Sequence, residues 1–276
     1  NVGGPVGRFY GYKVIGMYKN ADDFYQKNSK GEFLLDAAGN KVPTPRPADG
    51  DGNMYPIAPN SIWVGDYIYE DVNGDGKIDN HDRTFIGDPN PDFTFGLNNT
   101  ITWKNFDFSF FINGSVGGDI YNYVRQGHTN PEKYGNMMKE VAGYAKIGLI
   151  DPNGSATDIN NVYVTNLDLA TAQRISTAGQ NQNDNNRVSS RFVEDGSYLR
   201  LKSISLTYNF PKKWLAPLQI QSLSIYGNIQ NLFTITGYDG YDPEIGANGQ
   251  SVLLQNIDNY RYPSQRIYTF GLKLAF

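Results

Sequence analysis

Oxygen-bearing side chains recur at calcium-ligand spacing in the twelve residues from Asp71 to Asp82. Positions 1, 3, 5, 9 and 12 of this segment are Asp71, Asn73, Asp75, Asp79 and Asp82. Lys77, at position 7, would contribute its backbone carbonyl oxygen, so its side chain is free to vary. Calcium takes roughly 6–8 hard oxygen ligands, and this spacing wraps a short chain around one ion. Gly76 supplies a turn that a residue with a Cβ atom would resist. The sequence therefore predicts a Ca²⁺ site formed by these six ligand positions.

The surroundings of this loop limit the chemistry it can do. Position 12 is aspartate where an EF-hand loop has glutamate, so we expect Asp82 to bind through one oxygen. No pair of flanking helices is predicted, and the segment resembles the isolated calcium loops of dockerin modules. The alternative is a solvated turn without an ion, because Asp, Asn and Gly also favour tight turns. No nucleophile pattern of His, Ser or Cys accompanies the loop, so it is not expected to be catalytic.

The composition of the chain favours strands and turns. Its 276 residues include 20 Tyr, 15 Phe and 30 Gly, and no Cys. Aromatic residues suit strands, whereas glycine suits turns. Without cysteine there is neither a disulfide framework nor a thiolate metal site. The net charge of −4 does not indicate nucleic-acid binding, for which an excess of basic residues is expected. No apolar run is long enough for a transmembrane helix, but barrel strands are shorter and alternate in polarity.

Six segments are predicted to be strands: 9–18, 93–101, 106–113, 198–208, 223–235 and 267–276. Phe106, Phe108 and Phe110 share one face of the third segment, and Phe270 and Leu272 share one face of the last. Such a face would meet a core in a soluble sandwich and lipid in an outer-membrane barrel, and alternation alone does not separate the two. In the fourth segment the alternation of apolar and polar residues shifts by one position between residues 201 and 204, which predicts a β-bulge.

The connections favour the barrel. Segments 93–101 and 106–113 are joined by a very short turn, while long connections occupy residues near 19–91, 117–196 and 237–263. Barrels of the outer membrane have short periplasmic turns and long extracellular loops. The last predicted strand alternates up to Phe276, a pattern typical of a barrel assembly signal. Six strands are fewer than the roughly 8 of a small filled barrel, so further strands are expected. The fold class predicted is all-β, an antiparallel transmembrane β-barrel with long extracellular loops.

Particular stretches identify a family resemblance. They lie at residues 5–12, 65–87, 89–93, 104–107, 196–202 and 230–233 and at Phe276, and the most specific are DVNGDGKID at 71–79 and PNPDF at 89–93. Together they resemble the C-terminal third of the SusC/RagA-type TonB-dependent outer-membrane transporters. The whole segment 1–276 would then be the C-terminal part of a barrel of roughly 22 strands.

The resemblance implies a function and a set of partners. It implies outer-membrane import of glycan fragments or peptides, driven through TonB, with the remainder of the barrel, a plug and a SusD-like lipoprotein lid as partners, and with lipid around the barrel. A plug and a TonB box are not part of this sequence. Of the family's site residues, only those of the acidic loop, Asp71 to Asp82, carry over position by position.

Two other functions are considered. The first is a soluble, calcium-stabilised β-domain that binds carbohydrate. The second is an outer-membrane hydrolase, but His81 and His128 are the only histidines and neither has a nucleophile motif beside it, so no enzyme is predicted. Tyrosines of the last long connection are expected either to stack on sugar rings or to form an interfacial aromatic belt. They are Tyr238, Tyr241, Tyr260 and Tyr262.

Overall fold

The computed structural model describes residues 4–132, 135–176, 181–246 and 253–276. In these ranges the strands are β1 Phe9–Gly11, β2 Val14–Met17, β3 Tyr67–Tyr69, β4 Thr84–Gly87, β5 Phe93–Trp103, β6 Phe106–Val116, β7 Asp119–Asn122, β8 Ile147–Leu149, β9 Val162–Val164, β10 Val193–Asp195, β11 Tyr198–Asn209, β12 Ser222–Thr236, β13 Ile257–Asp258 and β14 Ile267–Ala275. The α-helices are α1 Tyr123–His128 and α2 Lys212–Leu215, and 3₁₀ turns lie at Ala21–Phe24, Asn80–Asp82, Lys139–Gly143, Ile159–Asn161, Leu167–Leu169, Ser190–Phe192 and Ala216–Leu218. None of the helices in these ranges combines the length and the apolar character that crossing a membrane requires.

The chain divides into two compact units. The sheet unit comprises Asn1–Arg8, Gly87–Tyr121 and Glu194–Phe276. The loop unit comprises Phe9–Ile86 and Asn122–Val193. Residues 1–3, 133–134, 177–180 and 247–252 of the predicted segment 1–276 lie outside the described residues.

The sheet unit is built on five long strands. They pair antiparallel in the order β14–β12–β11–β6–β5. Chain neighbours β5 and β6 pair from Phe93↔Val116 to Trp103↔Phe106, across a turn of two residues. The first of these, Lys104, has a φ of 55°, in the left-handed region. Since β5 and β14 stand at the two ends of this order, each has one hydrogen-bonding edge without a partner among the described strands.

The apolar residues of these strands share one exposed face. One row across the sheet reads Ile101, Phe108, Leu206, Gly227 and Phe270. Phe270 is 81% exposed, and Ile101, Trp103 and Leu206 are exposed as well. Leu201 is the one large apolar side chain in the five strands that is buried. The face is therefore not the inner layer of a sandwich.

The predicted bulge is confirmed. The pairing of β11 shifts between Leu201 and Ser203 against both of its neighbours. On the adjacent strand β12, Asn231 has a φ of 52°, and its side chain Nδ2 donates to the Gln265 carbonyl oxygen at 2.9 Å. The extra residue restores the apolar phase, so that Leu201 and Ile204 lie on the same face despite being three positions apart.

The long and the short connections of the sheet leave from opposite ends. One end of the sheet is formed by Phe93, Val116, Tyr198 and Thr236. The long connections near 117–196 and 237–263 leave from this end. At the opposite end lie the turn after Trp103 and the connection from β11 to β12. All short connections between these strands are therefore at one end of the sheet.

The prediction of a sixth long strand over residues 9–18 is wrong. That stretch is divided into β1, which pairs with β4, and β2, which pairs with β3, all in the loop unit except the last residue of β4. Gly11 explains the break, because a Cβ atom there would stand 2.6 Å from the Val188 carbonyl oxygen. Tyr12 next to it bridges to Ser189 instead of continuing a strand. Close backbone approach at a glycine ends the regular pairing.

The loop unit has its own apolar core. Tyr18 stacks on Phe24 with ring centroids 4.2 Å apart, and Ile62 and Val64 are fully buried with them. Phe24 belongs to the 3₁₀ turn Ala21–Phe24, and Asn20 caps this turn through its side chain. The long connections are thus folded structures rather than simple linkers.

Candidate functional site

The first half of the predicted calcium loop is held by side-chain contacts to its own backbone. Asp71 accepts hydrogen bonds from the Gly74 amide at 2.7 Å and the Gly76 amide at 2.8 Å, one on each carboxylate oxygen. Both glycines have positive φ, 75° and 87°, which explains the choice of glycine. Asn73 accepts from the Asp75 amide at 3.0 Å. These contacts coil the chain tightly over positions 1 to 6.

The second half of the loop closes with a capping box. Asp79 Oδ1 accepts from the His81 amide at 2.7 Å, and this hydrogen bond holds the pKa of Asp79 below its ordinary value. Asp82 is fully buried, and its oxygens accept from the Val72 amide at 3.0 Å and the Asp79 amide at 2.7 Å. Burial raises the pKa of Asp82. The hydrogen bonds from the backbone amides lower this pKa, but the effect of burial is larger. The Lys77 ammonium lies 3.5 Å from Asp79 Oδ2.

The six predicted ligand positions thus form one loop with the hard oxygen chemistry that calcium prefers. An oxygen that accepts one amide still has a second lone pair for an ion. However, no group of three or more His, Cys, Asp or Glu side chains in the described part of the chain has metal-binding geometry. The side chains contact backbone amides rather than converge on one point, so the Ca²⁺ site stays a prediction.

The two histidines have contacts of other kinds. His81 Nδ1 lies 2.9 Å from Asp79 Oδ1, and the imidazole is exposed. His128 Nδ1 lies 3.1 Å from the Asn136 carbonyl oxygen. Both of these contacts are with oxygen atoms of a carboxylate or a backbone carbonyl.

The four tyrosines of the last long connection differ in exposure. Tyr238 is buried, and its hydroxyl donates to Asp258 Oδ2 at 2.6 Å. Burial, and then this carboxylate acceptor, raise the pKa of Tyr238 well above its ordinary value. Tyr241, at 80%, is exposed, as are Tyr260 and Tyr262. Tyr238 is therefore a structural residue, whereas the other three present rings that a ligand or a partner can contact.

An ion-pair cluster that the sequence did not predict lies on the polar face of the sheet. Arg200 on β11 donates to Glu244 at 2.8 Å, to Thr234 at 2.8 Å and to the Asp242 carboxylate. Lys202, two positions along β11, donates to Glu244 at 2.6 Å. Burial raises the pKa of Asp242, but hydrogen bonds from Arg200 and from backbone amides outweigh it and lower this pKa to about 2. The cluster binds the connection after β12 to the sheet.

A polar cleft of about 450 Å³ lies in the loop unit beside the acidic loop. Tyr12 and Tyr55 contribute aromatic surface, and Asp49, Asp79 and Arg187 contribute charge. The Arg187 guanidinium lies 4.6 Å from the ring centre of Tyr12. The volume of the cleft is that of a small-molecule site, and its mixture of aromatic rings and charged groups suits a polar ligand.

Comparisons with known proteins decide the family. No protein-family model matches the chain. TonB-dependent receptor P3 of Formosa agariphila is 31% identical over 278 residues, which cover 99% of this chain and 22% of that protein. TonB-dependent receptor SusC of Bacteroides thetaiotaomicron is 28% identical over 87% of this chain and 22% of that protein. Among solved structures, the RagAB peptide transporter matches 98% of this chain and 23% of its own, with a TM-score of 0.54 and 19% identity.

The chain is a homologue of one segment of the SusC-type TonB-dependent receptors. The family resemblance predicted from the sequence is thereby confirmed. This receptor segment spans 22% of the length of the two relatives. Its five-stranded sheet, whose outer strands β5 and β14 each have one free edge among the described strands, is part of the wall of an antiparallel β-barrel in the bacterial outer membrane, as the sequence predicts. Its relatives are receptors and not enzymes, which also agrees with the prediction.

Proposed function

We propose that this receptor segment forms the C-terminal part of the barrel wall, and several outer loops, of a nutrient importer. The observation that carries the proposal is the relationship to TonB-dependent receptors over 99% of the chain. The sheet itself supports it, because a five-stranded sheet with two open edges and an exposed apolar face needs both further strands and an apolar surrounding. Nothing in this role breaks a covalent bond: the receptor binds its substrate and changes conformation.

The open edges indicate the first partner. Strands β5 and β14 each have a row of backbone groups without a partner in the described residues, and a barrel removes such edges by closing. The partner of each edge is therefore a strand of the remaining barrel, which is expected to enclose a plug. TonB and a SusD-like lipoprotein lid are further partners that we propose from the relationship to SusC.

The substrate class we propose is a glycan fragment or a peptide. RagAB, which shares the fold of this chain, is a peptide transporter. The cleft with Tyr12, Tyr55 and Arg187 offers ring faces for sugars and a cation for a carboxylate, so its chemistry suits either ligand. Tyr241 and Tyr262 are exposed rings that suit the same use.

We also propose that Ca²⁺ binds the loop from Asp71 to Asp82 and braces it, rather than contacting substrate. The support is the ligand spacing, the two glycines with positive φ, and the second lone pairs of the carboxylate oxygens. Asn73, Asp75 and Asp79 would supply further oxygens, with the carbonyl of Lys77. Asp82 would bind through Oδ2, which accepts the Asp79 amide and has a second lone pair.

An uptake assay tests the proposed function. The receptor, expressed in a strain that lacks it, is expected to restore growth on the oligosaccharides or peptides that the parent strain imports, and dissipating the proton-motive force is expected to stop the uptake. Growth that is the same with and without the receptor, on every substrate, would contradict an import function. Extraction of the protein as a monomer without detergent would instead favour a soluble carbohydrate-binding domain.

A further inference from the structure

The short-connection end of the sheet carries a continuous row of aromatic rings. Trp103 and Phe106 have ring centroids 6.5 Å apart, and Phe106 and Tyr208 have centroids 4.8 Å apart. The row continues from Tyr208 to Phe210 at 5.0 Å and from Phe210 to Trp214 at 6.4 Å. It therefore crosses from the turn after β5 to helix α2.

Helix α2 and the 3₁₀ turn after it expose apolar residues at this same end. Trp214 is 54% exposed and Leu218 is 66% exposed, while Leu215 between them is buried and fixes the helix on the sheet unit. The connection from β11 to β12 could cross in a few residues, yet it spans 210–221. Large exposed apolar side chains at such a position indicate contact with a hydrophobic layer.

Lysines lie around the aromatic row. Lys104 places its ammonium 4.7 Å from the ring centre of Trp103, and Lys212 and Lys213 are exposed on α2 beside Trp214. Residues 99–109 and 205–226 hold these three lysines and a single acidic residue, Asp107. The Asp107 carboxylate accepts from Thr102 and Asn209, each at 2.7 Å. The local charge is thus positive in a chain whose net charge is −4.

We propose that this end of the sheet unit is a docking surface for anionic phospholipid headgroups. The rings and Leu218 would lie at the level of the headgroup and acyl-chain boundary, where amphipathic aromatic residues are stable. The three ammonium groups would reach the phosphates and the net negative charge of the neighbouring lipids. Charge complementarity selects this occupant over a neutral lipid, which would satisfy the rings but not the lysines. The inference rests on the proposed place of the strands in a membrane. It adds that this end of the sheet unit prefers anionic to neutral headgroups.

Quenching of tryptophan fluorescence by brominated lipid tests the inference. The intact receptor is reconstituted in phosphatidylcholine nanodiscs that contain one-fifth brominated phosphatidylglycerol, or one-fifth brominated phosphatidylcholine. The difference between the receptor and its Trp103→Phe/Trp214→Phe variant isolates the signal of the two ring-row tryptophans. Because each lysine near an anionic surface adds to the attraction, we expect phosphatidylglycerol to quench this signal at least about twofold more than phosphatidylcholine.

Matched lysine variants separate charge recognition from general lipid contact. Lys104→Gln/Lys212→Gln/Lys213→Gln is expected to bring the ratio of the two quenching signals to about one, while Lys19→Gln/Lys30→Gln/Lys139→Gln, at exposed sites of the loop unit, keeps the original ratio. Equal quenching of the unchanged receptor by both lipids would overturn the headgroup preference and leave the importer proposal standing. Absence of quenching by either lipid would overturn the membrane placement of this end as well.

Discussion

Arg174 and Asp66 form a buried ion pair although 108 positions separate them in the chain. Arg174 donates to the two carboxylate oxygens from Nε at 2.7 Å and from Nη2 at 3.1 Å. Asp66 also accepts from the Trp63 amide at 2.8 Å and from Asn185 at 2.8 Å. Every oxygen of this buried carboxylate is thus bonded twice, and the pair joins the two chain segments that build the loop unit.

Removing the arginine is expected to destabilise the loop unit strongly. Arg174→Met leaves the Asp66 carboxylate buried without its countercharge, at a cost of about 3–5 kcal/mol. Lys13→Met is the matched control, because the Lys13–Glu70 pair is exposed and contributes at most about 1 kcal/mol. Limited proteolysis followed by mass spectrometry should show new cleavage in residues 9–86 for the first variant only. Equal protection of both variants would mean that the ion pair does not hold these segments together.

The contact of Tyr238 with Asp258 gives a second stability prediction. Tyr238→Phe keeps the buried ring but leaves the Asp258 carboxylate without the hydroxyl donor at 2.6 Å, which should cost about 1–3 kcal/mol. Tyr262→Phe, at an exposed ring, is the control and should change little. The measurement is the denaturant concentration at which the receptor loses its structure. A Tyr238 variant as stable as the control would show that water replaces the hydroxyl without loss.

The Asp242 cluster predicts how pH affects the last long connection. The folded pKa of Asp242, about 2, lies below the value of 3.8 for a free carboxyl, so this group stabilises the folded state above pH 3.8 and loses that contribution as the pH falls toward 2. The Ser264 amide donates to Asp242 at 2.8 Å and reports the state of the cluster. Its hydrogen exchange, corrected for the intrinsic rate, should stay slow down to about pH 4 and accelerate below it. In Asp242→Asn that acceleration should be absent; its persistence there would assign the titration to another group.

Calcium removal tests the acidic loop. If an ion braces the loop, a chelator should raise protease cleavage between residues 66 and 87, and Asp75→Ala should show the raised level with and without chelator while the barrel still assembles. Asp51→Ala is a suitable control, since Asp51 is an exposed acidic residue outside the loop. The hydrogen bonds from Asp71 to the Gly74 and Gly76 amides would remain in either case. Cleavage that is unchanged by chelator in the unaltered protein would favour a turn held by its own backbone contacts.

Local patterns predicted those features that depend on neighbouring residues. Alternation fixed which face of the five strands is apolar, and the phase slip near Leu201 located the bulge, because both follow from the two-residue period of a strand. The failure at residues 9–18 has a physical cause that alternation does not contain: Gly11 lets the backbone near Val188 approach, and that contact is distant in sequence.

Ion pairs between residues that are far apart in the chain were likewise not predicted from the sequence. Arg200 and Lys202 read as ordinary polar-face residues of a strand, and Asp242 and Glu244 as ordinary loop acids. Only the fold brings them within hydrogen-bonding distance. The acidic loop is the intermediate case. Its spacing predicts a ligand set, and the structure places all six positions in one loop, but spacing does not determine whether the oxygens contact an ion or backbone amides.

A pair of lysine substitutions on strand β14 tests which face of the sheet meets lipid. Phe270 lies on the apolar face, where it covers Gly227 of β12, and its neighbour Thr269 lies opposite Asn228 on the polar face. In a barrel, Phe270→Lys brings a charge into the hydrocarbon at a cost of about 2–4 kcal/mol near the midplane, whereas a lumen-facing lysine is tolerated. We therefore expect Phe270→Lys to lower the amount of heat-resistant folded receptor in the outer membrane and Thr269→Lys to leave it near the original level. The reverse order would mean that Thr269, and not Phe270, lies on the face that is withdrawn from water, because only a lysine on that face carries this cost.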